Sequence, residues 1–365
     1  MGGNALKNTF TRRYTLQEFK DLQGEVYLKL LELINTHPKF CNDDQMLNLP
    51  IAFIPYYENK ESFGDMDILL NMSYYNYKVE GFQEKLKKVF GYNELFRNTN
   101  VWSFDYKELQ IDLIFVQQHE FRTTIYYYAW NDLGNMMGRI ANKFGTRYGS
   151  YGLSYKIKSR ISGNYFSKKV FLSKDLPKIF RFLGYDYDRY MKGFKTIDEI
   201  FEYAISTKYF NPEVFQFQNL KQEDRTRNKK RNLYNKFLAY IEKNKNTFNM
   251  VYTFKPQEQY FDYINSFFPE AELTKVREQL EAEERKFRMI SERFNGNIVK
   301  EAIRELASKE QGKNLGKFME WFKGLYYSKE AFETTILEND IEFVKEHLKN
   351  SYNVYKEKKK EIKCI

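Results

Sequence analysis

Glu61-Ser62-Phe63-Gly64-Asp65-Met66-Asp67-Ile68-Leu69-Leu70, answered by Leu109-Gln110-Ile111-Asp112-Leu113-Ile114-Phe115-Val116, sets the reading of the whole 365-residue chain. Both stretches carry strand-type apolar runs. Side chains alternate faces along a strand, so Asp65 and Asp67 point to one side of a sheet and Met66 to the other. Asp112 sits inside the second run, where an isolated charge is expensive to bury unless it pairs or binds a cation.

Three convergent carboxylates are hard oxygen donors suited to Mg²⁺, with Mn²⁺ as a substitute. Two such ions about 3.5–4 Å apart activate an attacking hydroxyl and stabilise a leaving pyrophosphate oxygen. A lone Asp-x-Asp more often marks a turn or a solvated strand end. Gly64 before the pair, the apolar residues after it and Asp112 on a second strand shift the expectation to a catalytic metal site formed by Asp65, Asp67 and Asp112.

Outward from these strands, the apolar spacing of Leu22, Val26, Leu28, Leu31 and Ile34 predicts a helix over residues 15–36. A short strand is expected at 51–54, a helix at 79–90 and strands at 101–104 and 109–116 around a turn at 105–108. A helix over 126–144 and a break at the glycines of 145–152 follow. Strands at 153–157 and 170–172 then lead to a helix from Ser173-Lys174-Asp175-Leu176 to Phe182 or Leu183. Beyond Thr196 the pattern is mainly helical, with long charged helices expected at 270–294 and 329–360. The expected fold is α+β, a mixed sheet with flanking helices, a small α/β unit and a helical C-terminal region. Its expected divisions are 1–120, 121–195 and 196–365.

Composition bounds the rest. Aromatic residues make up 18% and charged residues 30% of the chain, which argues for a folded protein. Two cysteines far apart, Cys41 and Cys364, and three histidines, His37, His119 and His347, indicate neither a disulfide framework nor cysteine or histidine metal chemistry. No apolar run approaches the roughly 20 residues that cross a bilayer, and the first 13 residues lack the apolar stretch of a signal peptide. The expectation is an intracellular protein of the cytoplasm, nucleoid or nucleus, without a membrane partner. The net charge of +10 suits a polyanionic partner.

The quoted stretches resemble the polymerase β nucleotidyltransferase superfamily, and more closely the family X DNA polymerases. Residues 61–70 look like that family's metal-binding strand and Ile111-Asp112-Leu113 like the strand of its third aspartate. Tyr127-Tyr128, fifteen positions on, is placed where the family has an aromatic pair beside the incoming sugar. Asn135 and Arg139, one helical turn apart on one face, fall where an Asn and an Arg contact the nascent base pair. Arg147-Tyr148-Gly149-Ser150-Tyr151-Gly152-Leu153 and residues 172–185 are similar to its thumb. The resemblance spans about 50–190. It implies a palm, a thumb-like unit, and Mg²⁺-dependent addition of nucleoside monophosphates from NTPs or dNTPs to a nucleic-acid 3′-hydroxyl, with DNA ahead of RNA as partner. It assigns nucleotide binding to Ser62, Gly64, Tyr127, Tyr128, Asn135 and Arg139.

One departure stands out. Where the superfamily has a Gly-Ser pair that grips the triphosphate, this chain has Ile54-Pro55. Ser62 could supply a hydroxyl there, and Lys60 or Arg122 positive charge. The N-terminal segment is too short for the family's lyase domain, so no lyase activity is expected. Phe294–Val299 and Gly312–Met319 look faintly like the tail helices of CCA-adding and poly(A)-type enzymes. A template-independent RNA terminal transferase therefore stands as one alternative, and a non-catalytic nucleic-acid-binding relative as another.

For nucleic-acid contact the candidates are Lys156, Lys158, Arg160, Lys168 and Lys169, interleaved with Tyr155, Tyr165 and Phe166. A second group is Arg225, Arg227, Lys229, Lys230 and Arg231, five cations in seven positions, directly after Glu223 and Asp224.

Overall fold

The computed structural model describes residues 5–34, 49–248, 251–306 and 312–361. The fold is α+β. The chain divides into two compact units, one of residues 1–156 with 169–272 and one of residues 157–168 with 273–365.

The first unit opens with β1 (Tyr14–Thr15) and α1 (Leu16–Leu31). Thr15 caps α1 through a reciprocal box: Thr15 Oγ1 accepts from the Glu18 amide, and the Glu18 carboxylate accepts from the Thr15 amide at 2.8 Å. The helix stops five residues short of the expected end, and residues 35 and 36 lie outside the described residues. Next come β2 (Ile51–Phe53), β3 (Ser62–Phe63), β4 (Asp65–Asn71), α2 (Phe82–Phe90), β5 (Leu95–Asn98), β6 (Val101–Tyr106) and β7 (Leu109–Val116).

Five of these strands form a mixed sheet in the order β2-β4-β7-β6-β5, and β1 pairs with β3. The central pair, β4 and β7, is parallel, while β2, β6 and β5 join antiparallel. Period-two alternation separates the two faces. Met66, Ile68, Leu70, Ile111, Leu113 and Phe115 pack with Phe19, Leu22 and Val26 of α1 and Phe82 and Leu86 of α2. Each such burial contributes about 1.5–3 kcal/mol. On the other face, Leu69, Ile114 and Val116 are covered by Phe121 and Ile125 of α3 (Gln118–Tyr128), leaving the N-terminal half of β4 open.

A single helix over 126–144 does not form. α3 ends at Tyr128 and α4 spans Leu133–Lys143, because Trp130 and Asn131 both take left-handed backbone angles, with φ of 59° and 61°. The Trp130 amide is held by the Pro55 carbonyl at 2.9 Å. A strand, β8 (Thr146–Gly149), occupies part of the expected glycine break. The following strands are longer than expected: β9 (Gly152–Ser159) and β10 (Gly163–Ser173) complete a three-stranded sheet in the order β10-β9-β8. The unit continues with α5 (Leu176–Leu183), capped by Asp175 as its sequence predicts, then α6 (Tyr187–Met191), α7 (Ile197–Ile205), α8 (Gln222–Lys229), α9 (Asn232–Lys243) and α10 (Phe261–Phe267).

The second unit holds α11 (Leu273–Arg293), α12 (Gly296–Ala302), α13 (Lys313–Lys323), α14 (Lys329–Glu338) and α15 (Ile341–Glu361), around Phe294, Val299, Phe318, Phe322, Ile336 and Leu348. The long helix expected at 329–360 is broken at Asn339-Asp340. Asp340 accepts from the Phe343 amide at 2.8 Å and so caps a new helix, while Arg293 gathers the carbonyls of Ile336, Leu337 and Asn339 at the end of the old one.

Candidate active site on the open sheet face

Parallel pairing of β4 with β7 sets Asp67 directly opposite Asp112 and Asp65 opposite Gln110. One carboxylate oxygen from each of Asp65, Asp67 and Asp112 lies within 4.8 Å of the others. Gln110 holds Asp112 from two positions back on the same strand face, donating its amide to both carboxylate oxygens at 2.8 and 3.0 Å. Ser103, opposite Asp112 on β6, donates its hydroxyl as well.

The cluster is electrostatically uncomfortable. Burial pushes the Asp112 carboxyl up to about 6, the Asp65 charge adds to that rise, and the Ser103 and Gln110 hydrogen bonds work against it. Asp67 keeps contact with solvent. Even so, the protein crowded around its carboxylate, followed by repulsion from Asp65 and Asp112, holds it well above the usual carboxylate range, with Lys60 offsetting in part. Lys60 is itself lowered by burial and supported by Asp65 and Asp67; its ammonium lies 4.4 Å from the centre of the Phe63 ring. Neither Ser103 nor Gln110 stood out in the sequence, although a polar residue two positions before a strand aspartate shares its face by construction.

The other nucleotide-binding expectations divide. Gly64 is buried at the entry to β4. Ser62 is engaged by Arg13, whose guanidinium donates to its hydroxyl and, at 3.0 Å, to its carbonyl. Arg122 donates to the Tyr126 hydroxyl. Tyr127 and Tyr128 meet edge to face at 5.4 Å at the end of α3. Burial raises the Tyr128 phenol, with Tyr127 and the charge of Asp67 adding and Arg227 opposing, so the pair neighbours the acid cluster. Gly134 makes this placement possible. A Cβ there would stand 2.1 Å from the Tyr127 carbonyl oxygen, so the turn into α4 closes over a residue without a side chain.

Asn135 and Arg139 share one face of α4, as their spacing predicts, and that face is covered by α8. Arg139 is buried and pairs with Asp224 at 2.7 Å, and Asn135 donates to Asn228 at 3.4 Å. In the basic run, Arg225 donates to the carbonyls of Gln218 and Leu220, and Arg231 pairs with Asp132. Arg227, Lys229 and Lys230 are exposed.

Of the hairpin cations, Lys156 and Lys169 belong to the first unit and Lys158, Arg160 and Lys168 to the second. Lys156, Lys168 and Lys169 are exposed. Arg160 is neutralised by Glu281 through two contacts of 2.7 and 2.8 Å. The aromatic residues beside these cations differ in setting: Tyr165 is exposed, whereas Phe166 lies 5.4 Å from Phe287 and Tyr155 is buried. No helix among the described residues is long and apolar enough to cross a membrane.

Comparison of the chain with protein-family models and with curated proteins finds no match to either.

Proposed function

We propose that the chain is a Mg²⁺-dependent nucleotidyltransferase of the polymerase β type, adding nucleoside monophosphates to a nucleic-acid 3′-hydroxyl, with DNA ahead of RNA as substrate. The observation that carries this reading is the register of β4 and β7, which opposes Asp67 to Asp112 with Asp65 one pleat away on the same face. Three convergent oxygen-donor carboxylates, two of them, Asp67 and Asp112, raised in pKa by burial and by neighbouring acid charge, fit a hard divalent cation. Bound ions would neutralise triphosphate charge and favour the alkoxide form of the attacking hydroxyl.

The chain's own residues do the positioning. Gln110 and Ser103 fix the Asp112 carboxylate, and Lys60 moderates the charge of Asp65 and Asp67. Tyr127 and Tyr128 give the incoming sugar an aromatic wall. In the reaction, the 3′-oxygen bonds to the α-phosphorus and the bond to the β-phosphate breaks. Pyrophosphate leaves with its electron pair, and the hydroxyl proton goes to water.

The non-catalytic alternative rests on a specific observation: Ile54-Pro55 replaces the Gly-Ser pair, and its Pro55 carbonyl is engaged by Trp130. Single-nucleotide extension separates the readings. Labelled gapped DNA and single-stranded RNA are incubated with Mg²⁺ and each dNTP or NTP, with Asp112→Asn as control. Template-matched dNTP addition, lost in the variant, is the expected result. Untemplated NTP addition to RNA would select the terminal-transferase alternative, and no addition to either strand would leave the binding protein.

A further inference from the structure

A nucleoside triphosphate brings several negative charges to a face already crowded with three carboxylates, so cations beyond the metal ligands must meet its phosphates. Most nearby cations already have partners. Arg13 is engaged with Ser62, Arg122 with Tyr126, Arg139 with Asp224 and Arg231 with Asp132. Lys60 faces Asp65 and Asp67 from beside the Phe63 ring.

Arg227 differs from all of these. It lies on α8 with Asp224 three positions before it and Asn228 directly after it, on the face that docks on α4. Asp224 is tied to Arg139 and Asn228 to Asn135, and the next turn is tied through Arg231 to Asp132, at the start of α4. α8 is therefore held at two points and the chain just beyond it at a third, while Arg227, between them, remains exposed. Among the described residues Arg227 has no hydrogen bond and no ion pair. Its charge acts on both Tyr127 and Tyr128, and Tyr128 in turn feels Asp67. The geometry agrees: the first turn of α4 meets Tyr127 at Gly134 and α8 at Asn135, through Asn228, the neighbour of Arg227, and a guanidinium carried there suits a polyphosphate because its planar donors engage phosphate oxygens in pairs.

We infer that Arg227 grips the distal phosphates of the incoming triphosphate, so that α8, from the region beyond the thumb-like segment, supplies the contact that Ile54-Pro55 does not. This rests on the nucleotidyltransferase reading.

The test is equilibrium titration of the whole chain with Mg²⁺-dATP, Mg²⁺-dAMP and a labelled gapped DNA, for the native sequence and for Arg227→Ala, Arg227→Lys and Asp67→Asn. Arg227→Ala should weaken dATP about tenfold or more while dAMP and DNA change less than about twofold, and Arg227→Lys should recover most of the loss. Unchanged dATP affinity in Arg227→Ala, where native binding still requires Mg²⁺ and Asp67, overturns the inference and leaves the nucleotidyltransferase reading standing. A loss confined to the DNA also overturns it, making Arg227 a nucleic-acid contact. If the native chain binds no triphosphate at all, both fall. Because Arg227 is exposed and unpaired, its variants should fold, which circular dichroism checks.

Discussion

Carboxylates are gathered in both units of the molecule, and they are treated in opposite ways. On α11, Glu281 and Glu284 are buried and each has an arginine: Arg160 meets Glu281 with two parallel contacts, and Arg288 meets Glu284 at 2.8 Å. On the mixed sheet, Asp65, Asp67 and Asp112 face one another, and Lys60 offsets the repulsion at Asp67 only in part. The consequences for protonation are opposite as well. The Arg160 guanidinium holds Glu281 down at about 2, whereas burial holds Asp112 up at about 6. A fold that neutralises buried acids with arginine in one unit leaves three partly solvated acids to repel one another in the other. Such a local cost is expected where function requires it.

The largest test of this contrast is a pair of isosteric amides. Asp67→Asn should cut nucleotide addition on the order of a thousandfold. It should also raise the melting temperature of the metal-free chain by a few degrees, since it removes like-charge repulsion. Mg²⁺ should stabilise the native chain and not this variant. Glu281→Gln should do the reverse, lowering the melting temperature by about 5 °C because Arg160 loses its partner, with nucleotide addition retained. Scanning calorimetry with and without EDTA reads both. If Asp67→Asn destabilises the metal-free chain as Glu281→Gln does, the acid cluster is an ordinary structural group.

A smaller effect comes from moving the tyrosine pair without touching a carboxylate. Gly134→Ala places a methyl 2.1 Å from the Tyr127 carbonyl oxygen. The chain must shift there, at a cost of about 1–3 kcal/mol. Denaturant unfolding should show that loss, and nucleotide addition should fall through a raised KM for the nucleotide. Unchanged KM would separate Tyr127 and Tyr128 from the site.

What was legible in the sequence follows from the range of the physics involved. The convergence of Asp65 and Asp67 is a period-two property of one strand, and Asp112 betrayed itself as a charge inside an apolar run. The α+β class and the cap of α5 are similarly local. The break after Tyr128 was not legible, because Trp130 and Asn131 take left-handed angles within a turn anchored by Pro55, seventy-five positions before Trp130. The cation runs were legible as charge but not as surface. Arg160 is neutralised by Glu281, 121 residues away, and Arg231 by Asp132, 99 residues away, and local patterning detects neither pairing.

The smallest effect, and the most direct probe of the contrast, is the pH dependence of each unit's stability. Glu281 has its folded pKa depressed from 4.5 to about 2. Its contribution is therefore present above about 4.5 and fades as the pH falls toward 2, since only the unfolded chain takes up the proton in that interval. Asp112, raised from 3.8 to about 6, acts with the opposite sign in the metal-free chain. There the folded form holds the proton longer, so stability declines as the pH rises from about 4 through 6. Hydrogen exchange resolved by segment should show α11 losing protection on the acid side and β7 losing it toward neutrality in EDTA. Glu281→Gln should flatten the first slope and Asp112→Asn the second. Added Mg²⁺ should reverse only the decline at β7, because an ion bound there favours the ionised carboxylates that repulsion otherwise penalises. Two slopes of the same sign would mean that the sheet acids are balanced by charges in the fold, as the helix acids are.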